Sequence, residues 1–469
     1  MVLPLLLLID NLKLVYNISV FLAFILSGYF MYLLISYFLG KNFSVTKKFI
    51  SFLGGCIYAF SPYTVSKALG YFNLLSVEWV PITFLMTLKT LEKATLGRMF
   101  TLSLLIIILF FTDFHYFCYY FIIAAFFLLF NVREVEIKNF LYFIGSISLS
   151  LVALSFMYLP AIFSYLNEKE NYVRNYYQTI TWYNFFLPSP FTIIYDFFPG
   201  NVLRLYLTSP VWLIVDSVIY LGLSFIFLTT FFFLLCRKYN VEIGKIHFLI
   251  ALIFFSSLLA LGTSTTVSLT LNNILRKIVP FFDLLAVSAR HVFLTVFSQV
   301  MIFSYLTYNA LIRMRGYIQF LFFSLVIALF LLEYFPIKYD YYYKVETPLF
   351  LYEVSLKPEG FTILNIPHIA NTQGMYLQTI HKKAILDGHV SRIPITSRET
   401  LALLEKLTRE KKAEELKQLL AKLDVRYVIV NYNYDRSYYD FSLLKLLDLV
   451  ESKRLIATYD RVKVYEILY

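Results

Sequence analysis

Asp113 and His115 sit one residue apart in a turn between two apolar runs, and Arg290 and His291 open a third. Asp10, Lys67 and Glu78 likewise lie at the ends of hydrophobic segments. Ionisable groups are costly at membrane depth, and where a chain keeps them they mark binding or reaction sites by default. Carboxylates in such a place can hold a divalent ion that screens a phosphate, or one can take a proton from an acceptor hydroxyl. Cations such as Arg290 can pair with phosphate oxygens. Each residue also has a purely structural reading. Glu78 precedes Trp79 and Pro81, where a carboxylate favours the positive end of a helix dipole. Asp113 and His115 could serve only to cap adjacent helices, and Arg290-His291 could be snorkelling to the membrane interface.

These residues are positioned by hydrophobic spans. Hydrophobic residues make up 59% of the chain, charged residues 15%, and the mean hydropathy is +0.69. A soluble domain of that composition would aggregate, so the expected class is an α-helical polytopic membrane protein. The net charge of +11 does not indicate nucleic acid. Roughly half of the 41 basic residues precede residue 338, mostly in short loops that act as topology signals. The clusters are Lys41/Lys47/Lys48, Lys89/Lys93/Arg98, Arg133/Lys138, Arg237/Lys238/Lys245 and Arg313/Arg315. The three cysteines have no metal or redox spacing and read as buried thiols.

With cationic loops on the cytoplasmic side, about ten crossings are expected. They fall near Val15–Leu39, Phe49–Phe60, Leu74–Leu88, Met99–Thr112, Phe114–Phe130, Phe140–Ala161, Val211–Cys236, Phe248–Leu261, His291–Leu311 and Ile318–Ile337. Proline at Ser61-Pro62-Tyr63 should end or kink the second. Arg98 and Arg133 must face the same side, so the turn between two crossings falls at Asp113-Phe114-His115. Parity then puts Asp10, Lys67, Glu78, Asp113, His115, Asp196, Arg204, Asp216, Asp283, Arg290 and His291 on the outer side, together with loops 162–210 and 262–290. A membrane domain over 1–337 precedes an extracytoplasmic domain over 338–469.

The tail reads as a soluble α/β domain. Strands are expected at Gly360–Ile366 and Val425–Asn431, with a helix from the capping box Thr396-Ser397-Arg398-Glu399 to about Leu423. A helix near Tyr438–Ser452 should precede a hairpin of Arg454–Thr458 and Lys463–Leu468, turning at Asp460-Arg461. His368, His381 and His389 are too loosely spaced for a zinc site.

The run Leu53-Gly54-Gly55-Cys56-Ile57-Tyr58-Ala59-Phe60-Ser61-Pro62-Tyr63 is followed by Gly70-Tyr71-Phe72-Asn73-Leu74-Leu75 and Glu78-Trp79-Val80-Pro81. It resembles the signature of membrane proteins of the GT-C glycosyltransferase superfold, and more narrowly the prokaryotic 6-pyruvoyl-tetrahydropterin synthase-related membrane proteins. The likeness continues in Thr112-Asp113-Phe114-His115-Tyr116, in Ser288-Ala289-Arg290-His291, and in the tail at Ile366-Pro367 and Gly388-His389-Val390-Ser391-Arg392. The resemblance implies an enzyme of the cell membrane that passes a sugar from a polyprenyl-phosphate donor to a glycan or protein acceptor outside the cytoplasm. The pterin label carries no chemistry here. On this reading Asp113, His115, Glu78 and Asp10 are the catalytic candidates, and Arg290, His291 and Lys67 would bind the lipid phosphate. The cofactor, if any, would be a divalent Mg or Mn ion, with no organic cofactor.

The GT-C pattern has its principal acidic motif in the first outer loop, directly after the first span, and this chain departs from it. Parity makes the first clear span run from outside to inside. The expectation is therefore that the true start lies upstream and that the usual catalytic acid is missing, with Asp10 as a remnant of that outer loop, the alternative being a short outer tail translocated with the helix. The competing function is a non-catalytic scaffold or lipid-linked-glycan transporter. A solute transporter fits less well, because no charge lies deep in a span and no paired helices are broken by Gly or Pro.

Overall fold

The computed structural model describes residues 5, 7–9, 11–40, 44–167, 181–189, 192–197, 218–279, 282–285, 287–335, 349–357, 360–367, 372–386, 395–432, 442–459 and 462–468. The chain divides into two compact units, Met1–Lys169 with Val173–Asp340, and Glu170–Tyr172 with Tyr341–Tyr469.

The first unit is helical. Its elements are α1 (Leu12–Phe38), α2 (Val45–Ala59), α3 (Pro62–Gly70), α4 (Trp79–Glu92), α5 (Leu96–Thr112), α6 (Phe114–Asn131) and α7 (Ile137–Asn167), then α8 (Leu223–Lys238), α9 (His247–Ala260), α10 (Thr266–Ile278), α11 (Val292–Leu311) and α12 (Gly316–Glu333). Side-chain caps set several starts: Asn11, Ser44, Ser61, Thr95 and Thr265 each accept a backbone N–H of the first turn. Pro62 fits the first turn of α3, where its missing N–H costs nothing, and α2 and α3 meet at a 45° bend.

Among the described residues five helical stretches are long and apolar enough to cross a membrane: Leu12–Phe38, Phe114–Glu134, Ile137–Leu159, Ser288–Leu311 and Gly316–Glu333. The bent α2–α3 pair makes a sixth if it counts as one span. Of the other expected crossings, α4 and α9 have 14 residues, α8 has 16 and α5 has 17. At 1.5 Å per residue these reach only about 21–26 Å, short of a hydrocarbon core of about 30 Å. The chain is thus a helical protein with several candidate membrane crossings. The segment 262–290, expected as an outer loop, holds α10, an amphipathic helix with Asn272 buried.

One helix organises this unit. The Ser288–Leu311 stretch is buried throughout its apolar part, with Arg290 and Asn309 half-buried, whereas the other four crossing stretches bury only 17–33% of their apolar part. It packs against α2, α8 and α9. Small and polar side chains permit the close approach: Thr295 bonds Ser256 at 2.7 Å, and Gln299 donates to the Leu221 carbonyl at 3.0 Å. Gly54 lies against Ile35 and Ser304, and Gly55 lies against the backbone of Gly28 on α1. Glu333, at the end of α12, accepts the Ser224 N–H with both oxygens at 3.1 and 3.3 Å and so caps α8 from a distant helix.

The second unit is a five-stranded mixed sheet in the order β2-β1-β3-β5-β4, with helices on both faces. Its elements are α13 (Leu349–Leu356), β1 (Thr362–Ile366), α14 (Thr372–His381), β2 (Ala384–Ile385), α15 (Ile395–Arg409), α16 (Ala413–Lys422), β3 (Val425–Asn431), β4 (Lys453–Tyr459) and β5 (Val462–Ile467). β1 pairs in parallel with β2 and β3, and β5 pairs antiparallel with β3 and β4. Alternate residues feed two cores. Leu364, Val428 and Val430 face Leu404, Leu416 and Leu420, while Ile363, Tyr427 and Ile429 face Leu351, Val354 and Leu377.

Two expectations for this unit are corrected. The helix opened by the capping box does not run unbroken to Leu423: it stops at Arg409, Lys411 takes a φ of 56°, and α16 begins at Ala413. The break turns two amphipathic faces, Leu404/Leu407 and Leu416/Leu420, onto one core. The helix expected over Tyr438–Ser452 is reduced, within the described residues, to short turns over Ser442–Leu449. The expected turn Asp460-Arg461 and the histidines His368 and His389 lie outside the described residues.

His381 is fully buried, and its Nδ1 accepts the Lys383 N–H at 3.0 Å, which leaves the proton of the neutral ring on Nε2. Burial, with the nearby Lys383 charge, holds its pKa down to about 4. A lowered folded value means the histidine's contribution is complete above its unfolded pKa near 6.5 and is lost as pH falls toward about 4. Hydrogen-exchange protection of β1 and β3 in the full-length protein should therefore fall over that window, by at most about 3 kcal/mol, and His381→Gln should flatten the dependence. In the first unit, a Cβ on Gly55 would clash with the Gly28 carbonyl oxygen, whereas one on Gly97 would meet nothing within 4 Å. Gly55→Val should cost about 1–3 kcal/mol, read as a lower Tm in detergent, and Gly97→Ala should leave Tm unchanged or raise it.

Candidate functional site

Helix direction sorts the charges of the first unit by end. Arg98 begins α5 and Arg133 follows α6, so the turn between these helices, at Asp113, lies at the opposite end from both. Arg290 precedes α11 and Arg313 follows it, and Arg290 lies at the Asp113 end.

Asp113 is a one-residue turn. Its backbone is extended (φ −162°, ψ 134°), it ends α5 through its N–H on the Leu109 carbonyl, and it starts α6 by accepting the His115 N–H at 2.7 Å. The same oxygen, Oδ1, takes the His115 ring Nδ1 at 2.9 Å, while Oδ2 accepts the Asn73 amide at 2.6 Å. Burial alone pushes the carboxyl pKa up. The hydrogen bonds and charge attraction from His115, with the Asn73 amide, outweigh it and hold Asp113 below the ordinary carboxylate value. The aspartate is ionised and orients the imidazole.

That orientation fixes which ring nitrogen is free to accept. Nδ1 donates to Asp113, so Nε2 carries the lone pair, and it faces Arg290 Nη1 at 3.4 Å. Arg290 also lies over the Tyr71 ring, with Cζ at 5.0 Å from its centroid. Lys67, almost fully buried near the C-terminal end of α3, places Nζ 5.5 Å from the same ring and 5.2 Å from that of Tyr63. Tyr71 therefore sits between two cations, whose charges its π face and the dipole at the end of α3 help to stabilise. Tyr63 and Tyr116 exchange a hydrogen bond at 3.3 Å below them, and Tyr116 is anchored on the Leu74 carbonyl.

The structure thus brings together Asp113, His115, Arg290 and Lys67. His291 is close in sequence but is fully buried, stacked on Phe282 at 5.9 Å and edge-on to Tyr119 at 5.5 Å, and neither ring nitrogen has a hydrogen-bond partner. Glu78 is also fully buried, with no hydrogen bond of normal geometry to either carboxylate oxygen, and no described contact joins it to Asp113. Asp10, Arg204 and Asp216 lie outside the described residues, as do the side chains of Asp196 and Asp283.

Asn73 and Tyr71 complete the cluster and have no individual role in the sequence reading. The signal available was the Gly70-Tyr71-Phe72-Asn73 run, whose break between α3 and α4 projects polar groups toward the Asp113 turn.

Among the described residues no three His, Cys, Asp or Glu side chains gather as a metal site. Both Asp113 oxygens are already engaged and His115 Nε2 faces a guanidinium, so this donor set suits an anion better than a cation. Chemically, the cluster offers two cations for a phosphate beside an oriented imidazole. No protein-family model matches the chain, and no curated protein matches it either.

Asp113→Ala should remove both the cap of α6 and the tether of His115, lowering the stability of the detergent-solubilised protein by about 0.5–2 kcal/mol. Asp113→Asn retains an accepting oxygen for the His115 N–H and should melt close to wild type. Equal Tm values for the two variants would show that the cap carries no weight.

Proposed function

We propose that this chain is a GT-C-like membrane glycosyltransferase that takes a sugar from a polyprenyl-phosphate donor and gives it to a glycan or protein acceptor on the outer side of the cell membrane. In this reading all ten expected apolar segments cross or enter the bilayer, the cationic loops face the cytoplasm, and the 338–469 domain is extracytoplasmic. The observation that carries it is the chain Arg290, His115, Asp113: a cation placed for phosphate beside a histidine whose free nitrogen is aimed by a buried carboxylate.

In the resting site Arg290 donates to His115 Nε2. An entering phosphate competes for the guanidinium, with Lys67, against the same Tyr71 ring, as second cation. His115 Nε2 is then free to accept the proton of the acceptor hydroxyl. The acceptor oxygen forms its bond to the anomeric carbon as the bond from that carbon to the phosphate oxygen breaks, and the lipid phosphate leaves with the electron pair under Arg290 and Lys67. Asp113 is a positioning residue in this scheme, since its oxygens are held by His115 and Asn73. A divalent Mg or Mn ion would need donors beyond the described ones, with Asp10 the nearest candidate in the sequence reading.

A second reading, a scaffold or lipid-linked-glycan transporter, draws support from the same saturation of Asp113 and from the burial of Glu78, which leave neither carboxylate open to a substrate.

Full-length protein should transfer sugar from a polyprenyl-phosphate donor. Asp113→Asn and His115→Gln should each lower kcat at least tenfold, about 1.4 kcal/mol in barrier, while Arg290→Ala should act mainly on KM. If wild type binds the lipid phosphate in an Arg290-dependent way but gives no product with any sugar donor, the transferase reading fails and the second one stands.

A further inference from the structure

Helix α13 has two apolar faces. Leu351 and Val354 are buried in the core of the second unit, but Leu349, Tyr352 and Leu356 are 73%, 52% and 83% exposed. Their spacing of i, i+3 and i+7 places them within about 60° of one another around the helix at 100° per residue, so they form one stripe opposite the packed face. A soluble domain gains nothing by leaving such a stripe in water.

The stripe ends in positive charge. Lys357 follows Leu356 directly and extends over Tyr427, with Nζ 5.1 Å from the ring and one N–H donated to the Tyr427 hydroxyl at 2.5 Å, which leaves two N–H groups of the ammonium for other acceptors. Lys383 donates to the Lys357 carbonyl and lies 5.1 Å over Phe361, and Arg426 lies 5.2 Å over the same ring. Three cations thus crowd around the contacting rings of Phe361 and Tyr427. The acidic groups nearby are Glu353 on the edge of the stripe, Asp424 at 3.6 Å from Arg426, and Glu466, which pairs with Arg454 at 2.6 Å.

The sequence shows what could cover this surface. Residues 334–348 alone separate α13 from the end of the last apolar helix, and from Tyr334 to Lys344 they read Tyr-Phe-Pro-Ile-Lys-Tyr-Asp-Tyr-Tyr-Tyr-Lys. Tyrosine and lysine are the residues of a membrane–water interface. A short tether also keeps a bilayer at high effective concentration near the helix. An aliphatic stripe with one tyrosine and a cationic end matches an interfacial helix drawn to anionic lipid.

We propose that α13 is a membrane-docking surface, with Leu349, Tyr352 and Leu356 entering the headgroup boundary of a bilayer and Lys357 and Arg426 meeting the phosphates of anionic lipids. Docking of this kind does not depend on the transferase reading. It holds the second unit against the bilayer by one edge and restricts its rotation there.

The test uses full-length protein with Cys56, Cys118 and Cys236 replaced by alanine, reconstituted in nanodiscs of phosphatidylglycerol and phosphatidylcholine in equal parts. A fluorophore is attached at Leu356→Cys, at Tyr352→Cys, or at Leu403→Cys on α15 as an exposed control. Lipids with brominated chains should quench the 356 and 352 labels at least twofold more than the 403 label, and aqueous iodide should quench them less. Lys357→Glu with Arg426→Glu should bring the 356 signal down to the control level. Equal lipid quenching at all three positions would overturn the proposal. Labels at 352 and 356 shielded from iodide but not reached by brominated lipid would overturn it in favour of a protein partner.

Discussion

A helix with no lipid-facing side holds the first unit together. Every other crossing stretch of comparable length leaves most of its surface outward, where a bilayer of aliphatic chains satisfies it without specific contacts. Among the five unbroken crossing stretches of the described residues, the Ser288–Leu311 stretch must find protein partners all round, and in a membrane those partners are won by close packing and by small polar side chains rather than by the hydrophobic effect. Hence Gly54 on α2, whose missing side chain leaves room for Ser304 and Val300, and hence Thr295 and Gln299 in the middle of an apolar bundle. The consequence for chemistry is positional. Arg290 is the residue just before this immobilised helix, so its guanidinium starts from a fixed point.

The opposite wall is fixed by a different device. A single extended residue between two helices leaves little freedom to the side chains beside it, and Asp113 uses its own carboxylate to define that turn. Because Oδ1 accepts both the backbone and the ring nitrogen of His115, the cap and the orientation of the imidazole are one arrangement. The tyrosines do the rest. Tyr71 holds both cations against its ring in a largely buried place.

Much of this was legible in the residues. Apolar runs and basic loops are enough to locate helices, and the charge parity between Arg98 and Arg133 is enough to place a turn at Asp113, because two cations at one end of a helical hairpin require the chain to reverse at the other. The proline at position 62 marks the α2–α3 bend for the same local reason. Tertiary contacts were not legible. Nothing in sequence spacing says that Asn73 reaches Asp113, that Tyr71 lies between Lys67 and Arg290, or that His291 turns inward against Phe282 while its neighbour turns to His115. In the second unit the strands Thr362–Ile366 and Val425–Asn431 follow from their β-branched runs, but the break at Lys411 does not. A charged stretch with good helix formers on both sides reads as continuous, and only the need to bring two leucine faces to one core interrupts it.

Buried polar groups without a hydrogen bond are spread through both units, from Ser19, Ser27 and Ser51 to Ser298, Ser304, Thr307 and His381, and a few of them lie beside the Asp113 turn. Tyr119 Oη, Ser288 Oγ, both nitrogens of His291 and both oxygens of Glu78 are buried without a hydrogen bond of normal geometry. Such groups cost stability, on the order of 1–3 kcal/mol each, and nothing in the packing of a purely structural helix bundle requires them. Three of these residues, Tyr119, Ser288 and His291, lie within a turn of the residues that form the Asp113, His115 and Arg290 chain. In the proposed reading, the unsatisfied groups beside the Asp113 turn are where an entering polar ligand finds hydrogen bonds. The saturated part resists rearrangement and the unsatisfied part invites it. An incoming polar ligand can therefore gain bonds without first breaking the Asp113 arrangement that aims the histidine.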